Sequence, residues 1–180
     1  MRILRLTFGL AQLALFAGAT TLQRLDLDEM VQRATSIVQA KVLDSHGVLR
    51  GGDVYTVYRL QVTDQWKSAP SKTIEVAVPG GVAGPLRQIV AGAPTLDVNR
   101  EYVLFLWTSR TGLTQVLGLT QGLFRVIQDS EGATMAVRSA ATELMLDKGG
   151  RPVADQAVSM PLLRLRAEVR RVSGQKGPER

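Results

Sequence analysis

The chain contains no cysteine. That absence excludes disulfide staples, thiol catalysis, thiolate-held iron–sulfur clusters and cysteine-rich zinc sites. There is one histidine, His46, so no multi-histidine metal site can form within the chain and general-base chemistry has few players. Past the first twenty residues, no segment approaches the roughly 18 apolar residues that a helical membrane crossing needs. The body also lacks a charge surplus. Of the formal +6, Arg2 and Arg5 carry two charges and the residues from 161 onward carry four, which leaves 14 basic against 14 acidic residues between 20 and 160. A domain that binds nucleic acid through its folded surface carries a basic stripe of its own, and none is visible here.

What is present is globular. With 180 residues, 45% hydrophobic and 21% charged, the chain fits about one domain. Arg2 and Arg5 precede an apolar run from Leu6 to Phe16, and Ala17-Gly18-Ala19 then places small residues as a signal-peptidase site does. The expected organisation is a signal peptide over 1–19, a single β-barrel domain with flanking helices over 20–172, and a flexible C-terminal tail over 173–180. No cysteine is available for a lipid anchor, so the expected location is secreted or periplasmic, with no membrane span in the mature chain.

Periodicity changes once along the body. Leu27, Met30, Val31 and Ala34 recur at three and four residues, a helical stripe with Asp26 or Asp28 placed to cap it. From Ile37 the pattern is strand-like to Leu43, with turn chemistry from Asp44 to Gly52. Val54 to Trp66 alternates clearly, Val54, Thr56, Tyr58, Leu60 and Val62 on one face and Tyr55, Val57, Arg59, Gln61 and Thr63 on the other. Thr73 to Val78 reads as a third strand, residues 79–85 as a glycine-rich loop, and Gln88 to Ala91 as a short strand. Tyr102 to Trp107 is apolar on both alternating faces and is the expected central strand. Short strands follow at 116–119, 123–127 and 134–137. Pro161 to Val172 reads as a helix with Leu162, Leu165 and Val169 on one face and arginines over much of the rest. Helix, six to eight antiparallel strands, helix predicts a mainly β fold: a small antiparallel barrel with a short N-terminal helix and a C-terminal helix packed on it.

Several segments carry a resemblance: Ile37-Val38-Gln39-Ala40-Lys41-Val42, Tyr55-Thr56-Val57-Tyr58 leading to Trp66-Lys67, Pro79-Gly80-Gly81, Arg100 to Leu106, and Gly118 to Phe124. Over about residues 22 to 138 the chain resembles uncharacterised secreted bacterial proteins, and these are distantly similar to the netrin-like domain shared with tissue inhibitors of metalloproteinases. The resemblance implies an OB-like barrel. Those inhibitors present their chelating edge on an N-terminal cysteine and its disulfide, and this chain has neither, so no inhibitor residue carries over.

Possible chemistry is sparse. Asp26, Asp28 and Glu29 are three acids without further ligands at metal spacing, and helix capping accounts for them. Residues 79–85 lack dinucleotide-loop spacing and any Lys-Ser or Lys-Thr ending. Asp44-Ser45-His46 holds the side-chain types of a hydrolase triad, but an extended backbone points Ser45 away from the other two. Ser173 and Lys176 have the spacing of a serine–lysine pair without its companion motifs. Glu75 and Glu101 form a glycosidase pair only if the fold brings them together. Tyr55, Tyr58, Trp66 and Trp107 offer an aromatic recognition face, with Tyr58 and Trp107 read first as core. Arg164, Arg166, Arg170 and Arg171 offer a basic helix face for an acidic partner.

The sequence therefore puts forward no catalytic, cofactor-binding or metal-ligating residue and no cofactor. The expected function is a non-enzymatic secreted or periplasmic protein-binding module whose partner is an envelope or extracellular protein and not nucleic acid. The alternative is an extracytoplasmic enzyme of unassigned class or a distant protease-inhibitor-like protein. The leader pattern predicts that N-terminal sequencing of the protein from its own cells finds Thr20 first; a full-length soluble cytoplasmic product is the contrary result.

Overall fold

The structure, a computed structural model, describes residues 21–141 and 143–174. The expected leader over 1–19, and residues 175–180 of the expected tail, lie outside the described residues. The chain opens with β1 (Thr21–Gln23) and α1 (Leu27–Arg33). Asp26 caps α1: its carboxylate accepts from the Glu29 amide at 2.8 Å while the Glu29 carboxylate accepts from the Asp26 amide at 3.1 Å, which satisfies two orphan donors reciprocally. At the other end the Lys67 ammonium donates to the carbonyls of Val31 and Ala34, both at 2.6 Å, where a cation also meets the negative end of the helix.

β2 (Ser36–Arg50) and β3 (Asp53–Lys67) form a long hairpin turned by Gly51 and Gly52, whose φ of 63° and 91° suit a two-residue turn. β2 is longer than its apolar run suggests, so Asp44, Ser45 and His46 lie in mid-strand opposite Arg59, Tyr58 and Val57 rather than in a turn. β4 (Thr73–Pro79) pairs with β3. The expected loop over 79–85 instead contains β5 (Gly81–Ala83), paired with β6 (Leu86–Gln88) as a small arm over the hairpin. Glycine makes the crossing possible: a Cβ on Gly47 would stand 1.7 Å from the Val82 carbonyl oxygen, and one on Gly81 2.2 Å from the Thr56 hydroxyl. The Thr56 hydroxyl donates to the Gly80 carbonyl and the Val54 amide to the Gln88 side chain.

β7 (Glu101–Thr108), β8 (Thr114–Val116), β9 (Leu123–Gln128) and β10 (Thr134–Arg138) follow, then β11 (Leu144–Leu146), β12 (Pro152–Val153), β13 (Val158–Pro161) and α2 (Leu162–Gly174). Three of the connections share one formula. Ser109, Asp129 and Asp147 each accept, on the side chain, from the amide four residues on, while Gly112, Gly132 and Gly150 supply positive φ at the fourth position.

The main sheet has eight strands in the order β13-β10-β9-β7-β2-β3-β4, with β8 on β7 beside β9. The expected OB-like antiparallel barrel is corrected by this topology. The sheet curls until β8 comes alongside β4, yet no ladder joins them, and the path runs open from β13 to β4. The fold is a mixed α/β arrangement, mainly sheet, with one helix near each end and the two in contact. Among the described residues no helix is long and apolar enough to cross a membrane.

β7 divides the core. Val103 and Phe105 point to one face, where they join Ile37, Phe124, Ala136, Met30 and Val31 of α1, and Leu165, Val169 and Val172 of α2. Tyr102, Leu104 and Leu106 point to the other face, onto Val38, Val42, Tyr58, Leu60, Val76 and Leu96. The C-terminal helix thus covers a sheet face and not a barrel edge. Its arginines are partly committed: Arg166 pairs with Asp64 at 2.8 Å and Arg171 with Asp28 at 2.9 Å.

A separate three-stranded sheet runs β1-β11-β12, with β1 parallel to β11. The buried Gln121 fastens it to the body, accepting from the Leu25 amide at 2.8 Å and donating to the Gln23 carbonyl at 3.0 Å.

Phe105 is fully buried and packs on Phe124 with ring centroids 5.7 Å apart. Phe105→Ala should cost about 3 to 5 kcal/mol in chemical denaturation, whereas Arg125→Ala, at an exposed position, should stay within about 1 kcal/mol. Comparable losses would contradict the burial pattern.

Candidate functional site

The helices cover one face of β7, β9, β10 and the start of β2, and the other face of the sheet is covered only in part. The curled β3 and β4 protect β2 and the middle of β7. Beyond them, cross-strand pairing sets Tyr102, Arg125, Val137 and Ser159 in one row across β7, β9, β10 and β13. This row floors a basin of about 560 Å³, walled by Thr95 and Asp97 on one loop and by Ser139, Ala140, Ala141 and Glu143 on another. Its size lies in the range of small-molecule sites.

Tyr102 is almost wholly buried, and its hydroxyl accepts from the Asp97 amide at 3.0 Å and lies 3.4 Å from the Asp97 carboxylate. Burial pushes the phenol above its ordinary pKa, against the Asp97 amide hydrogen bond. Arg125 belongs to no ion pair among the described residues. The Thr120 hydroxyl, also on the lining, is buried without a hydrogen-bond partner.

Arg138 lies at one end of the basin and is already spent. Its guanidinium grips Asp155 through two bonds, at 2.8 and 3.1 Å, with the two side chains 9% and 3% exposed. Asp155 also accepts from the Ala141 amide at 2.8 Å, and Arg138 donates to the Gln156 carbonyl. The pair therefore closes the segment between β10 and β13 and shapes the basin wall. Burial alone would raise the Asp155 carboxyl, but the Arg138 guanidinium and the Ala141 amide outweigh it and hold the pKa below the ordinary carboxylate value.

A second depression, about 210 Å³, lies in the seam between β4 and β8. Ala77, Val78 and Pro79 form one side; Trp107, Val116, Leu117 and Leu119 form the other. Pro94 lines both depressions, so they adjoin. Trp107 is 44% exposed although the five residues before it are buried.

The residues weighed from the sequence do not converge. Asp26 and Glu29 cap α1, and Asp28 meets Arg171. Asp44 pairs with Arg59, and Ser45 faces the opposite side of β2. The Ser173 hydroxyl is buried in α2, while Lys176 lies outside the described residues. Glu101 accepts from Gln39 and Thr63. The register places Glu101 and Glu75 on β7 and β4, with β2 and β3 between them, and pairs neither with the other. Among the aromatics, Tyr58 is core as read, Trp66 packs on the helix side and donates to Asp64, and Trp107 is a correction to its reading as core. Sequence reasoning missed Arg125, because its place beside Tyr102 and Val137 depends on the register of three strands.

The depressed Asp155 pKa stabilises the fold fully above the unfolded carboxylate value, about 3.9, and this contribution is lost as pH falls through the lower folded value. Asp155→Asn should therefore flatten the acid limb of a stability-versus-pH curve. At neutral pH it should cost about 3 to 5 kcal/mol by leaving Arg138 buried and unpaired. An unchanged acid limb in urea titrations would contradict the assignment.

Compared with known proteins, the chain matches no family model, no curated protein and no solved structure. Together with the open sheet, this withdraws the OB-fold and netrin-like description and leaves the leader and secretion terms without support from any relative.

Proposed function

We propose that the chain is a non-enzymatic protein-binding module, acting in the secreted or periplasmic space, that takes up an extended segment of an envelope or extracellular protein at the seam between β4 and β8. One observation carries the reading. Trp107 directly follows five buried residues of β7, and it leans on an apolar slot with nearly half its surface in solvent. Large aromatics that stand in apolar pockets are the commonest anchors of protein interfaces.

The backbone supports the same reading. β4 has one ladder partner, β3, and β8 has one, β7. β8 has three residues and β4 seven, so β8 cannot cover that edge along its length. An open edge offers unpaired amides and carbonyls to an incoming strand. The neutral body argues against nucleic acid as the partner.

A photo-crosslinking side chain placed at Gln115 or Glu75 should capture one defined partner in the native cells, and the same group at Arg170 on α2 should not. Trp107→Ala should then weaken that partner's binding by about 2 kcal/mol or more, the mark of an interface anchor, with an unchanged melting temperature. Crosslinking from Arg170 alone, or binding indifferent to Trp107, would reject the seam as the contact.

A further inference from the structure

The basin on β9, β10 and β13 differs in kind from the seam. Four charged residues line it, Arg125 and Arg138 with Asp97 and Glu143, around Tyr102. Arg125 and Asp97 are both exposed residues, where a ligand can reach their charges, and neither belongs to an ion pair among the described residues. Their separation has a structural cause. Asp97 is tied through its own amide to the buried Tyr102 hydroxyl, and Arg125 rises from the sheet row opposite Val137. The other guanidinium at the basin, Arg138, is neutralised by Asp155.

We infer that the basin is a binding site for a small zwitterion, a molecule of the amino-acid class whose carboxylate meets Arg125 and whose ammonium meets Asp97. Two further features fit that ligand. The buried Thr120 hydroxyl has no partner and offers one hydrogen bond more. Leu123, two residues before Arg125 on β9, and Val137, opposite Arg125 on β10, lie on the same sheet face as Arg125 and give an apolar side chain a surface to rest on. The cavity volume exceeds what a bare ammonium and carboxylate fill, so a ligand with an apolar side chain is favoured over glycine. A site that reads both charges discriminates, because removing either one from the ligand leaves a protein charge without its partner.

The test is an NMR titration of the full chain with L-leucine and with the dipeptide Leu-Leu, beside two derivatives that each lack one charge, N-acetylleucine and leucinamide. Saturable shifts are expected at Tyr102, Leu123, Arg125 and Val137 with leucine or with the dipeptide, and the tighter of the two gives the charge spacing the site prefers. Each derivative should bind about tenfold more weakly or worse, the size of one lost charge-assisted contact. Arg125→Gln should remove the preference for leucine over leucinamide, and Asp97→Asn the preference over N-acetylleucine. Absence of saturable shifts with both zwitterions overturns the inference, and so do derivatives that bind as tightly as leucine. The derivatives are read on the unsubstituted chain, so this outcome does not depend on either variant folding.

Discussion

A strand with five consecutive buried side chains has to be covered on both faces, and the rest of this structure follows from how β7 meets that demand. Sheets buried on both sides usually have helices on each. Here two helices serve one face, and the chain supplies the other by bending its own long hairpin over. Three register shifts in β2, at Ile37/Val38, Gln39/Ala40 and Val42/Asp44, allow the bend. The helices are held in place by contacts at their ends. Lys67 reaches the C-terminus of α1, and Arg171 of α2 reaches Asp28.

The two depressions mark where this covering stops. On the β4 side the curl ends one ladder short of closure, and Trp107 stands at the gap. On the β13 side the sheet continues beyond the reach of β3 and β4, and polar residues take over the inward phase: Arg125 on β9 and Ser159 on β13. Both depressions therefore have one origin, a sheet wider than its own fold-over can cover. Pro94, which lines both, belongs to the loop that fills the space between them.

Local pattern was legible in the sequence; meeting of distant parts was not. The stripe through Met30 and Val31, the alternation from Val54 to Val62, and Leu165 with Val169 all carry their period within a dozen residues, and all fold as read. Closure is not a local property, so counting strands suggested a barrel that the β4–β8 seam does not complete. The arm at Gly81 to Gln88 depends on the missing Cβ of Gly47, thirty-odd residues away in sequence. Trp107 continues an apolar run whose burial ends with Leu106, where the covering and not the alternation changes. The strands β11 to β13 have two to four residues each, too few to establish a period. The turns at Ser109, Asp129 and Asp147 did carry a signal, a short acceptor three residues before a glycine.

The clasp at the chain's beginning has a consequence for the order of events in folding. β1 pairs with β11, Leu25 is fixed by a side chain 96 residues away, and Asp28 meets Arg171 across 143 residues. Contacts of such separation form only once both partners are free in solution, and they carry the loop-closure cost that slows folding. The helix side of the core stays unroofed until α2 has been synthesised, so Phe105 and Phe124 are exposed in every shorter nascent chain. The helix side of the core is therefore completed only when α1 and α2 have both reached the sheet, and until then its apolar surface is open to aggregation and proteolysis.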